Sequence, residues 1–134
     1  MKNLLIMLTI LFAQNAFAHG PLLDAMKEMG ASFKTVAIGL QGGTMTSVEL
    51  EASETLQMGI AKASLHYPAT ANTDPLKIKY SQWMAELNKL GLELEGAIEV
   101  AMAQNPQDLT EATRIFGEMN DLRREGHAEF KDDH

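Results

Sequence analysis

From Leu76 to Ala101 the apolar residues Leu76, Tyr80, Trp83, Leu87, Leu90, Leu94, Ala97 and Ala101 alternate steps of four and three. Only an α-helix lays that period along one face. Sustained over 26 residues, it predicts a helix about 39 Å long, with an apolar seam that other helices must cover. Asp74 reads as the cap of this helix and Pro75 as its first residue, a position where the missing N–H costs nothing.

Three further segments repeat the pattern. Leu22, Met26, Met29, Phe33, Val36 and Leu40 follow a 4-3-4-3-4 spacing that ends at Gln41-Gly42-Gly43. A second helix opens at Thr46, with Glu49 placed to close a capping box. It continues through Ala52, Leu56, Gly59, Ile60 and Ala63 and stops before Pro68. Its small residues imply close approach to a neighbour. After a polar loop at 66–73, Asn105-Pro106 repeats the cap-plus-proline start, and Leu109, Ala112, Phe116, Met119, Arg123, His127 and Phe130 trace the inner face of a fourth helix. No stretch shows the strict alternation of a half-buried strand. The expected fold is all-α: an antiparallel up-down-up-down four-helix bundle, because short links force neighbouring helices to reverse.

The first 18 residues read as a cleavable secretory signal. Lys2 supplies the positive start, Leu4 to Phe12 the apolar core, and Ala16-Phe17-Ala18 the small-x-small cleavage site. A mature chain beginning at His19 and running to 134 is one four-helix domain, long enough to bury a core unaided. It should be a soluble protein of the periplasm, with no membrane insertion, since no later stretch approaches the roughly 20 apolar residues of a spanning helix. Lys2 is the only charge in the leader, which leaves ten basic residues against 18 acidic ones. That surface disfavours nucleic acid. The absence of cysteine excludes disulfides, thiolate metal sites and thioether-linked haem.

The fourth helix breaks its apolar seam at Arg123 and His127, one turn apart. Taken singly, His127 suits a helix C-terminus and Met26 suits an ordinary core. Taken together they face one another, because in an antiparallel bundle the start of the first helix lies beside the end of the fourth. A thioether and an imidazole on opposite sides form an axial pair for haem iron. Trp83 and Leu87 would wall such a pocket, with Met29, Phe33 and Phe130 closing it. Arg123 would either meet a haem propionate or bond Glu118, Asp121 or Glu125.

The mature chain resembles the soluble periplasmic four-helix cytochromes of the cytochrome b562 type. In the first helix the resemblance lies in Leu22-x3-Met26-x2-Met29-x3-Phe33-x2-Val36, with Lys34 in step. In the fourth it runs from Glu111-Ala112 through Met119 to Arg123-x3-His127, and in the third it passes through Ala97-Ile98-Glu99-Val100-Ala101. The resemblance implies one non-covalent haem b, with Met26 and His127 axial and Arg123 near the propionates. Gly126, Leu87 and the loop at 66–74 depart from the family's pattern. The related c-type bundles attach haem through Cys-x-x-Cys-His; here those positions read Arg123-Arg124-Glu125-Gly126-His127, which excludes that attachment.

Two other readings stay open. Cleavage after Ala18 would give His19 a free amino group beside its imidazole, a copper-chelating histidine brace that His127 or His134 could complete. Alternatively the chain is a haem-free bundle with a structural or stress role. Catalysis has no support in a nucleophile, base and acid constellation, so the chain is not expected to be an enzyme. The overall expectation is a monomer that passes single electrons to a redox partner protein.

Overall fold

The computed structural model describes residues 20–130. The expected signal segment, His19 and His134 lie outside the described residues. Four helices follow one another: α1, Gly20–Gly42; α2, Ser47–Ala63; α3, Asp74–Met102; and α4, Thr110–Phe130. No strand occurs among the described residues. The helices form a four-helix bundle in which each packs on the next, α1 and α4 also touch, and the diagonal pairs make no close backbone approach.

Contacts along each pair fix its direction. Lys62, at the end of α2, meets Glu28 near the start of α1 at 3.2 Å, while Glu49 at the start of α2 crowds Gly39 near the end of α1. Tyr80 Oη donates to the Ala63 carbonyl at 2.7 Å, and Gln57 Nε2 donates to Glu95 at 3.2 Å, so α3 runs against α2. Lys79 pairs with Glu129 at 2.9 Å, which sets α4 against α3. Consecutive helices are therefore antiparallel.

Local chemistry explains most of the boundaries. Thr46 Oγ1 accepts from the Val48 N–H at 3.1 Å and Glu49 Oε1 accepts from the Thr46 N–H at 2.6 Å, the expected capping box. Gly43, at φ +79°, turns the chain after α1, a conformation glycine adopts without steric cost. Between α1 and α2 the small residues act as sockets. A side chain at Gly59 would begin 2.5 Å from Met29 Cγ, so Met29 seats directly on the α2 backbone.

Three expectations are corrected. The cap of α3 is Thr73, whose hydroxyl accepts from the Leu76 N–H at 3.3 Å, and Asp74 is the first helical residue. Helix α4 does not start at Asn105-Pro106 but at Thr110, where Asp108 Oδ1 accepts from both the N–H and the hydroxyl of Thr110. Residues before it are held as a link because Gln107 spans to the other link. Its amide accepts from the Met45 N–H at 2.8 Å and donates to the Met45 carbonyl at 2.9 Å. Finally, the buried line of α4 near its end passes through Arg123, Gly126 and Phe130, and His127 flanks it half-buried.

Candidate functional site

The candidate site lies at the end of the bundle that holds the start of α1 and the end of α4: Met26, Arg123, His127 and Phe130 stand there with Trp83 of α3 against them, while Phe33 and Leu87 lie near the middle of their helices. Its position in height follows from one contact: Phe33 of α1 and Phe116 of α4 stack with centroids 4.1 Å apart and planes 20° off parallel. In an antiparallel pair this levels Met26 with Arg123. His127 then stands one turn further toward the bundle end, about 6 Å at 1.5 Å per residue. Helical side chains lean toward their own N-terminus. Met26 thus leans toward the end and His127 back from it, so the two incline toward a common level.

Burial differs between them. Met26 is 2 % exposed, in the seam of α1, whereas His127 is half-buried. Of the four neighbouring helix pairs, α1 and α4 make the sparsest backbone approach. Large side chains, the stacked Phe33 and Phe116 among them, occupy that interface. Met26 brings a soft sulfur to this end of the bundle from α1, and His127 brings an imidazole from α4.

Arg123 is 3 % exposed, an unusual place for a guanidinium. Its Nε donates to Asn120 Oδ1 at 3.2 Å, and Nη2 donates to the same oxygen. Burial, with a smaller push from neighbouring Arg124, draws its pKa down to about 10; it remains a cation at neutral pH.

Trp83 turns toward α4. Its Nε1–H donates to the Leu122 carbonyl at 2.7 Å, and its ring fills the place a side chain at Gly126 would take, 2.0 Å from that missing Cβ. Phe130 lies 5.7 Å from it and Tyr80 5.8 Å, centroid to centroid, and Tyr80 meets Phe130 edge-on at 5.3 Å. The cluster clamps the last two turns of α4 to α3. Thr70, in the link before α3, adds a hydroxyl bond to the Phe130 carbonyl at 2.6 Å.

The expected wall residues are therefore divided. Phe33 lies between α1 and α4, Met29 sits against α2, Leu87 is buried in α3, and Trp83 and Phe130 join the α3–α4 cluster, with Gly126 tying them to the turn that carries His127. Phe116 stacks on Phe33 and Asn120 holds Arg123, yet the sequence pattern singles out neither: Phe116 sits on the apolar seam and Asn120 carries no apolar signal. Gly126 stood out only as a departure from a pattern. Of the copper set, only His127 is described, and no group of three or more His, Asp or Glu side chains is placed to hold a metal among the described residues. No helix among these residues is long and apolar enough to cross a membrane. No protein-family model, no curated protein and no solved structure matches the chain.

Proposed function

We propose that this chain is a non-covalent haem b protein that transfers single electrons, with Met26 and His127 as the axial ligands. The observation that supports the reading is the Phe33–Phe116 stack, from which helix geometry puts Met26 and His127 about one turn apart in height on α1 and α4. Haem, when bound, supplies a one-electron iron couple. The chain's own contribution is to hold it and to tune it. The Met26 thioether is a soft ligand that favours the reduced ion, and His127 supplies nitrogen from the opposite helix. If Met26 and His127 both held the iron, no coordination site would be left for a substrate, which favours electron transfer over catalysis.

Arg123 supplies a buried positive charge one turn from His127, positioned to pair with the ring's carboxylates and held in place by Asn120. Phe33, Phe116, Met29 and Leu87 contribute the apolar surroundings that exclude water. Trp83 and Phe130 act from behind: by gripping Gly126 they set the rotation of the turn bearing His127. An exported protein with this chemistry would work in the periplasm as a monomer, exchanging electrons with a partner protein.

The test is an absorption spectrum of protein purified from the periplasm, oxidised and then dithionite-reduced, with metal analysis of the same sample. Sharp reduced bands that disappear in both Met26→Ala and His127→Ala are expected. A colourless protein carrying about one copper, lost when an extra residue precedes His19, would replace this reading with the brace. A folded protein holding neither would leave the haem-free bundle.

A further inference from the structure

Between the outer faces of α3 and α4 the structure has a groove of about 370 Å³. Its floor is aromatic and aliphatic: Trp83, Phe130 and Leu122. Its rim is acidic. Glu86 on α3 and Glu125 on α4 face each other across it, and neither is ion-paired among the described residues. The one basic side chain on the rim among the described residues, Lys79, is engaged with Glu129 at 2.9 Å.

We propose that this groove binds a small organic cation with an apolar body, of the aryl- or branched-alkyl-ammonium class. Size selects the kind of occupant. A stable protein partner covers on the order of 800 Å² per side, whereas 370 Å³ falls within the range of roughly 300–1,000 Å³ typical of single-ligand sites. Charge selects the sign. Two carboxylates beside an apolar floor repel an anion and leave a neutral aromatic molecule no ionic anchor. They complement one positive charge, whose apolar substituents displace water from Trp83 and Leu122. Tryptophan is also the strongest of the aromatic partners for a cation. The indole N–H is committed to the Leu122 carbonyl, so recognition falls to the ring carbons and the carboxylates.

Trp83 is the sole tryptophan in the chain, which gives the site its own reporter. The ¹⁵N-labelled protein, as purified, is titrated with benzyltrimethylammonium while the single indole N–H resonance is followed. Phenylacetate and benzyl alcohol serve as probes of opposite and zero charge. Saturable movement of the indole peak is expected with the ammonium probe alone. In the Glu86→Gln/Glu125→Gln double variant its affinity should fall roughly tenfold, as expected when a partly desolvated cation loses two counter-charges. The Glu51→Gln/Glu54→Gln variant, on the outer face of α2, should bind as the parent does. Equal shifts from all three probes, unchanged affinity in the groove variant, or no saturable shift in the parent would each overturn the proposal.

Discussion

Replacing Gly126 by alanine tests the packing that fixes the candidate site. In the interior of an ordinary helix the change stabilises by about 1 kcal/mol, because glycine gives up more backbone freedom on folding. At position 126 the added Cβ would lie 2.0 Å from Trp83 Cε2 and Cζ2, against the 3.4 Å at which ordinary contact begins. The indole must withdraw by about 1.4 Å. It cannot do so freely, since Tyr80 and Phe130 flank it and its N–H is anchored to the carbonyl of Leu122 on the same helix. Overpacking of this kind costs about 1–3 kcal/mol, and stretching the Leu122 bond adds about 1 kcal/mol. After the propensity gain, a net destabilisation of about 2 kcal/mol remains. Gly117→Ala is the matched control, because nothing lies within 4 Å of the Cβ it would gain on the same helix; it should stabilise by about 1 kcal/mol. The two variants should thus differ by about 3 kcal/mol, or about 10 °C in melting temperature for a domain of this size, measured by circular dichroism at 222 nm. A Gly126→Ala protein that melts at or above the Gly117→Ala protein would refute the reasoning. It would mean that Trp83 does not rest on α4 at this turn.

Three further outcomes follow from single contacts. Tyr80→Phe removes the buried bond to the Ala63 carbonyl and should cost about 1 kcal/mol in urea unfolding. Burial, assisted by Tyr67, raises the Tyr80 pKa well above its ordinary value of 10.0. The unfolded chain therefore loses this proton first, and the stability it contributes is complete below about pH 10 and declines as pH rises beyond it; Tyr80→Phe should flatten that decline relative to the parent. Gln107→Ala strips the Met45 N–H and carbonyl of their shared partner; a loss of about 1–2 kcal/mol and faster amide exchange at Met45 are expected. Lys79→Ala, by contrast, breaks only a surface pair, both of whose side chains are more than a third exposed, and should change stability by well under about 1 kcal/mol in the same unfolding assay.

How much of this was legible depends on whether a residue announces its role by its own chemistry. The seams of α1 and α3 could be read because leucine, methionine and aromatic residues have one favourable direction, inward. The capping box at Thr46 could be read because both partners lie within one turn. Interactions that reach across the fold could not. Asn105-Pro106 has the form of a helix start, yet Gln107 holds that segment as a link through a residue 62 positions away. Gly59 could be read because it shares a face with other small residues, whereas Gly126 was the least legible, since a lone residue without a side chain adds nothing to a hydrophobic pattern although Trp83 depends on the space it leaves.

The same gap affects the site itself. Met26 and His127 could be paired from topology, but their relative height rests on a ring stack between two residues that the pattern treats as ordinary core. The rotation of α4 is likewise set from outside the pair. A seam drawn through Arg123, His127 and Phe130 points His127 straight inward, while the observed line through Arg123, Gly126 and Phe130 leaves it on the flank. The difference is one residue's rotation, about 100° for a helix with 3.6 residues per turn, and Trp83 enforces it by occupying the position over Gly126. His127 consequently stands half-buried on the flank of that line, leaving the buried positions to Arg123, Gly126 and Phe130. Enlarging residue 126 would thus do more than lower stability. By pushing Trp83 away from α4 it would release the turn that carries His127, so if the chain binds haem as proposed, its haem affinity should fall in Gly126→Ala even though no proposed ligand has been changed.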